Sequence, residues 1–140
     1  MIDLMLRKEN GFSLIEVLVV VLIIGILAAI ALPAFLGERS KGQDADAKSN
    51  ARNLVSSLES FYASERKYTG AQTSQDITKS GVPIGTGKGK AQLTLSSDTF
   101  TIVAHSQSDA KFTIEKDSDG TLVRSCDTDG EGGCPSGGEW

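Results

Sequence analysis

The chain has 140 residues, which is enough for one domain and too few for two of ordinary size. Its 14 Lys and Arg against 18 Asp and Glu give a net charge of −4, which argues against nucleic acid as the main partner. One His and two Cys exclude most zinc sites and restrict any His-based catalytic triad to His105.

The N-terminal part of the chain is divided sharply by polarity. Residues 1–11 form a polar leader in which Arg7 and Lys8 lie close to an apolar segment. That segment, residues 17–36, contains no charged and no hydrogen-bonding side chain. At about 1.5 Å per residue it spans about 30 Å, the thickness of a bilayer's hydrocarbon core. A segment of this length excludes a plain cytoplasmic globular protein. Arg7 and Lys8 favour a cytoplasmic N-terminus, although Asp3 and Glu9 cancel their net charge.

A second helical pattern follows the apolar segment. Apolar side chains recur at helical spacing on an otherwise polar stretch, namely Ala47, Ala51, Leu54, Val55, Leu58, Phe61 and Tyr62. Gly37 and Gly42 weaken a helix without ending it. The pattern predicts one long helix from about residue 13 to about residue 66, half in lipid and half outside.

The rest of the chain reads as a loop followed by a sheet. Residues 67–90 are rich in Gly, Ser and Thr, which predicts a loop with one short element near Ile77. The glycine-rich run 85–90 lacks the spacing of a phosphate-binding loop. Over residues 91–125 apolar and polar side chains alternate between turn-like links. We predict a four-strand antiparallel sheet whose apolar face is covered by the outer half of the helix, giving an α+β fold.

The C-terminal segment, residues 126–140, is bounded by two cysteines. An exported head lies in an oxidising compartment, so we predict a disulfide between Cys126 and Cys134 that pins a glycine-rich tail to the sheet edge. Trp140, the only Trp, is expected to contact either its own head or a neighbouring filament.

Acidic residues concentrate in the same region. Residues 117–140 carry six acids against Arg124 alone. The spacing of Asp127, Asp129 and Glu131 matches the first half of a calcium loop, which makes these three weak calcium candidates. The second half of the segment does not match a calcium loop, because Gly138 occupies the position at which such a loop has a Glu. A solvated acidic turn is therefore the favoured interpretation, and no cofactor is expected.

Three interpretations of the N-terminus are open at this point. A cleaved secretory signal has an A-x-A-like site at Ala29-Ile30-Ala31, but its apolar run is too long. A plain anchor leaves Glu16 unexplained, because a carboxylate at the edge of a span is costly and usually has a partner. Cleavage after Gly11 would place a new amine on Phe12, one helical turn before Glu16. The alternative explanation of Glu16 is that its side chain reaches out of the apolar region to interfacial water.

The sequence GFSLIE at residues 11–16, continued by VLVVVLIIGILAAIALP, closely resembles the N-terminal signature of type IV pilins and their pseudopilin relatives. The resemblance implies that a membrane-embedded prepilin peptidase cleaves after Gly11 and methylates the Phe12 amine. It also implies that Glu16 neutralises this amine during assembly. The stretch from Gly25 to Pro33 is expected to lose helical order in the filament, where proline removes one backbone hydrogen bond.

The resemblance also implies a domain plan and a function. Residues 1–11 are the leader, 12–36 the filament-core helix and 37–140 a globular head. The expected function is that of a structural subunit, preferably the major pilin, of a type IV pilus for adhesion, motility or DNA uptake. The implied partners are further copies of the chain, the peptidase, an assembly ATPase and platform, and membrane lipid. The protein is expected in the cytoplasmic membrane before assembly and on the cell surface afterwards.

Two alternatives remain, and no enzymatic function is expected. Within the family, the alternatives are a type II secretion pseudopilin or a minor or competence pilin. Outside it, the alternative is a membrane-anchored extracytoplasmic binding domain. His105 lies in a strand pattern without a suggestive nucleophile or metal-ligand spacing, so no catalytic residue is assigned.

Overall fold

The computed structural model describes residues 10–140, so most of the expected leader, residues 1–9, lies outside the described part. The chain divides into two units, one ending at Leu36 and the other running from Gly37 to Trp140. We call the second unit the head. The expected division into leader, filament-core helix and head stays a prediction.

Helix α1 runs without interruption from Leu14 to Glu65 and contains Pro33. This confirms the predicted helix to within one residue at each end. In the first unit its large apolar side chains are exposed, from 45% at Val19 to 82% at Leu14. By length and composition this part of α1 is able to cross a membrane. The segment from Gly25 to Pro33 is helical here, and its loss of order in a filament stays a prediction.

The segment between α1 and the sheet contains two short elements. A 3₁₀ turn spans Ala71–Thr73, and helix α2 spans Gln75–Lys79. The Ser74 hydroxyl accepts a hydrogen bond from the Ile77 amide at 3.3 Å and thereby caps α2. Ile77 is buried in the core. The short element predicted near Ile77 is therefore confirmed.

Four strands form one antiparallel sheet in the order β1-β2-β3-β4. They are β1 (Ala91–Leu95), β2 (Phe100–His105), β3 (Lys111–Lys116) and β4 (Leu122–Cys126). Leu93 pairs with Ile102, Ile102 with Ile114, and Ile114 with Arg124. The predicted meander is confirmed, and β1 and β4 are its edge strands.

The core of the head lies between the outer half of α1 and one face of the sheet. Buried positions of α1 recur every three or four residues: Asp44, Ala47, Ala51, Leu54 and Leu58. Opposite them, the buried large side chains of the sheet are Phe100, Ile102, Phe112 and Ile114. Tyr68 closes one end of this core and is fully buried. The apolar stripe thus covers the sheet as predicted, with Val55, Phe61 and Tyr62 only partly buried at its edge.

Candidate functional sites

The expected processing site lies just ahead of α1. Gly11 and Phe12 are outside the helix, and Phe12 is 86% exposed. A peptide bond in accessible, non-helical backbone is the form in which a protease binds its substrate. The position of the Gly11–Phe12 bond is therefore compatible with cleavage there.

Ser13 and Glu16 form a reciprocal cap at the start of α1. The Glu16 carboxylate oxygen Oε2 accepts a hydrogen bond from the Ser13 amide at 2.9 Å, and the Ser13 hydroxyl accepts one from the Glu16 amide at 3.3 Å. This is a capping box, and its signal S-x-x-E is readable in the sequence at residues 13–16. The positive end of the helix dipole also favours an acid at this position. Glu16 therefore has a local structural partner in addition to its expected role in assembly.

The predicted disulfide is present. Cys126 and Cys134 are bonded, with 5.8 Å between their Cα atoms. The Cys126 amide donates a hydrogen bond to the Gly138 carbonyl at 2.8 Å, which attaches the tail to the edge of β4. We call residues 126–134 the disulfide loop. Its position at the sheet edge confirms the predicted attachment of the tail.

Asp44 joins the disulfide loop to α1, and sequence reasoning missed it. Its side chain is 1% exposed, and its two carboxylate oxygens accept hydrogen bonds from the Ser108 hydroxyl at 2.5 Å and the Gly133 amide at 2.8 Å. A Cβ atom on Gly133 would lie 2.6 Å from the Cβ of Asp44, and one on Gly132 would lie 2.5 Å from Oδ2. Both glycines are thus needed for the close approach of the loop to the helix.

The three weak calcium candidates make separate contacts. Asp127 accepts a hydrogen bond from the Lys111 amide at 2.7 Å, and Asp129 accepts one from the Gly137 amide at 2.5 Å. Glu131 lines a cavity of about 80 Å³ next to Asp44. Within residues 10–140 no three His, Cys, Asp or Glu side chains are grouped to hold a metal ion. In the described chain the first two acids thus connect the disulfide loop to β3 and to the tail beyond it.

Trp140 packs on its own head, which was one of the two expected positions. Its indole Nε1 donates to the Ser125 carbonyl at 2.9 Å, and its ring meets the Phe112 ring edge-on with 5.7 Å between centroids. Three cationic side chains also surround this ring: Lys48, Arg52 and Arg124. The Trp140 side chain is thus held by one hydrogen bond and by the contacts of its ring.

A polar network links α1, the segment after it and the end of β3. Lys116 donates to Glu59 at 2.7 Å and to the Tyr68 hydroxyl at 2.6 Å, and the Tyr68 hydroxyl donates to Glu59 at 2.9 Å. The hydrogen bond to Glu59 raises the pKa of Lys116. Burial raises the pKa of the Tyr68 hydroxyl. Both groups therefore hold their protons more tightly in the folded head.

His105 and the glycine-rich run 85–90, which were considered for catalysis and for phosphate binding, make local contacts in the head. His105 ends β2, where its amide donates to the Lys90 carbonyl at 2.9 Å. In the glycine-rich run, Lys88 forms an ion pair with Asp109 at 2.8 Å. The run therefore attaches to the turn after β2, whereas a phosphate-binding loop leads into a helix.

Comparisons with known proteins agree with this geometry. Residues 6–32 match the family model of the prokaryotic N-terminal methylation motif. A fimbrial protein of Pseudomonas aeruginosa is 34% identical over 106 residues, covering 71% of this chain and 69% of that protein.

Two further relatives match over shorter regions. The type IV major pilin protein PilA of Myxococcus xanthus is 40% identical over 62 residues, 44% of this chain and 28% of that protein. The type II secretion system core protein G of Aeromonas hydrophila is 34% identical over 62 residues, 44% of this chain and 43% of that protein. The match to each therefore spans less than half of its length. No solved structure matches the chain.

The methylation motif, the long N-terminal helix and the four-strand head occur together in one chain, and the similarity to the Pseudomonas protein extends over most of both chains. The chain belongs to the type IV pilin family.

Proposed function

We propose that this chain is the major structural subunit of a type IV pilus, made as a membrane-inserted prepilin and polymerised into a helical surface filament. The observation that carries this proposal is the first half of α1. Its large apolar side chains are exposed, although the same helix continues into a well-packed head. Such a surface needs either lipid or other copies of itself around it. A filament with apolar helices at its centre provides the second environment.

Transfer from membrane to filament costs little because both environments are apolar. The hydrophobic effect does not distinguish a lipid chain from a neighbouring leucine, so close packing of side chains decides the outcome. External work is still needed to extract the subunit. We assign this work to an assembly ATPase and platform in the cytoplasmic membrane.

Processing and register depend on the start of α1. A prepilin peptidase cleaves after Gly11 and methylates the Phe12 amine. Only Oε2 of Glu16 accepts the Ser13 amide, which leaves Oε1 available to the amine of Phe12 in its own or a neighbouring subunit. Pairing of that amine with Glu16 removes two charges that would be costly in an apolar filament core.

The segment from Gly25 to Pro33 loses its helical order when the subunit enters the filament. Pro33 supplies no amide to the helix, and its ring crowds the carbonyl of Ala29. Hydrogen–deuterium exchange on assembled filaments tests this. We expect faster exchange in this segment than in the rest of α1, and uniform protection along α1 contradicts it.

A pseudopilin of a type II secretion system is the second candidate, favoured by the acidic disulfide loop and by the similarity to core protein G. Copy number separates the two functions. A major pilin is the main protein in filaments sheared from the cell surface, whereas a pseudopilin is absent from that fraction.

The first experiment is the intact mass of the protein from its native cell, with fragmentation of its N-terminus. We expect a chain that begins at Phe12 and carries one extra methyl group. A chain that begins near Leu32 shows a cleaved secretory signal and refutes the proposal.

The second experiment compares Glu16→Ala with Glu38→Ala. Glu38 is an exposed glutamate of the same helix that pairs with Lys41 at 3.2 Å, so it controls for the loss of one carboxylate. We expect sheared filaments to disappear only in Glu16→Ala. Unchanged surface display of the protein together with unchanged filaments in Glu16→Ala favours an anchored binding domain, which does not depend on Glu16.

A further inference from the structure

Three cations gather around one aromatic ring in a chain of net charge −4. The charged groups of Lys48, Arg52 and Arg124 lie 5.7, 5.3 and 5.6 Å from the centre of the Trp140 ring. We call these four residues the cationic cluster. Arg52 and Arg124 are exposed, and Lys48 is half-buried. The cluster therefore lies at the surface, where α1 approaches β4.

Within residues 10–140 these cations have no acidic partner. The ion pairs of the described chain join other residues, and none of the three side chains donates a hydrogen bond there. Glu139 lines the same cleft as Arg124 and Trp140, yet it forms no ion pair with them. One aromatic ring offers a cation only a weak, partial counter-charge. The cluster is thus a concentration of positive charge that remains free to attract an anion.

The same head carries exposed acids in the turn that leads into β4. Asp117 and Asp119 lie in the turn between β3 and β4, which we call the acidic turn, and both are exposed. The backbone amide of Thr121 donates to Asp119 at 2.9 Å, which lowers the pKa of that carboxyl and keeps it charged. The cationic cluster reaches β4 through Arg124, two residues past the first residue of the strand, and through Ser125, whose carbonyl accepts the hydrogen bond from Trp140.

This arrangement suits a repeating contact between identical heads. A contact between two different patches of the same chain is heterologous, and when it does not close it generates a helical filament. Two net-negative heads repel each other unless opposite local charges face each other. We propose that the cationic cluster of one subunit binds the acidic turn of a neighbouring subunit. This contact rests on the proposed filament function and specifies which head surfaces meet in it.

The test is a charge reversal followed by its compensation, in filaments sheared from the native cell. Arg52→Glu with Arg124→Glu is expected to lower the yield of filaments about tenfold, because it places like charges opposite each other. Lys79→Glu, an exposed cation on α2, is the control and is expected to leave the yield unchanged. Adding Asp117→Lys and Asp119→Lys to the reversed cluster is expected to restore assembly. Wild-type yield from the reversed cluster overturns the proposal.

Covalent trapping keeps the test decisive if the reversed variants fold poorly. Arg52→Cys combined with Asp117→Cys is expected to give a ladder of linked subunits when the filaments are treated with a bismaleimide whose spacer spans an Arg–Asp ion pair, because a direct disulfide requires Cα atoms closer than such a pair holds them. Each single cysteine variant is the control and gives at most dimers. Filaments without a ladder overturn the contact.

Two further outcomes separate this proposal from others. The variant with Arg52→Glu and Arg124→Glu could still form filaments that no longer bind a fluorescent single-stranded DNA oligonucleotide. In that case the cationic cluster binds nucleic acid, and the proposal is wrong. If the wild type forms no filaments at all, the proposed function fails and this contact fails with it. Normal wild-type filaments with unaffected variants refute the contact alone.

Discussion

Removal of the Asp44 carboxylate provides a quantitative test of how the disulfide loop is held. Asp44→Ala leaves the Gly133 amide without its acceptor, and the Ser108 hydroxyl keeps only the weaker acceptor Ser106 Oγ at 3.1 Å. The substituted alanine keeps the Cβ atom, so it does not relieve the close approach of Gly133. The change therefore removes polar contacts and leaves the backbone geometry of the loop in place.

The magnitude follows from the number and type of the lost hydrogen bonds. A hydrogen bond to a charged group contributes about 1.5–3 kcal/mol to stability. Two such bonds are lost, but the cost of burying the carboxylate is also removed, so we expect a net loss of about 3 kcal/mol. For a head of this size that loss lowers Tm by about 12–15 °C. Asp44→Asn keeps one acceptor oxygen and is expected to lose about half as much.

The assay is thermal unfolding of the head unit, Gly37–Trp140, followed by circular dichroism. Asp46→Ala is the matched control, since Asp46 lies two residues further along the same helix and is exposed. We expect that control to stay within about 1 °C of wild type. Hydrogen exchange at the Gly133 amide adds a local readout, which is expected to speed up in Asp44→Ala alone.

The reasoning is refuted if Asp44→Ala unfolds within about 1 °C of wild type. Equal losses in Asp44→Ala and Asp46→Ala would also refute it, because the effect would then belong to the helix and not to the loop. An unchanged exchange rate at Gly133 would show that the hydrogen bond contributes nothing to local order.

Three further predictions concern the disulfide, alkaline pH and calcium. Serine at both Cys126 and Cys134 opens a short loop and is expected to cost about 2–3 kcal/mol in a denaturant titration, and an unchanged midpoint contradicts this. The hydrogen bond to Glu59 raises the pKa of Lys116 in the folded head, and burial raises the pKa of Tyr68. Their contribution to the free energy of unfolding is therefore complete below about pH 10 and is lost as the pH rises through the pKa values of the folded head. Lys116→Met is expected to flatten this fall, which chemical unfolding from about pH 9 to about pH 11 measures. Calcium or EDTA is expected to leave Tm unchanged, and a rise in Tm on adding calcium would restore the metal hypothesis.

Periodicity alone was sufficient to predict the main elements of the fold. The 3.6-residue pattern predicted α1, and the two-residue pattern predicted the four strands of the head. Cys126 and Cys134 are close in sequence, so their pairing was also predictable. Each of these signals is local, because it depends on residues within about one element of each other.

The contacts that hold the head together were not predictable in the same way. Asp44 lies three residues before Ala47, on the buried face of α1, but the sequence does not show its partners, which are 64 and 89 residues away. The Lys116–Glu59 pair likewise joins residues 57 positions apart. Only packing of α1 on the sheet brings such residues together. The cap between Ser13 and Glu16 is local, and its spacing makes it readable from the sequence.

The sequential order of the strands has a consequence for how the head forms. Each strand of the sheet pairs with the one before it in the chain. A hairpin closes as soon as its second strand is available, so the sheet grows in the direction in which the chain emerges. Contacts of this kind are short in sequence and favour rapid folding. Docking of the sheet on α1 is then the one step that requires closure of a long loop.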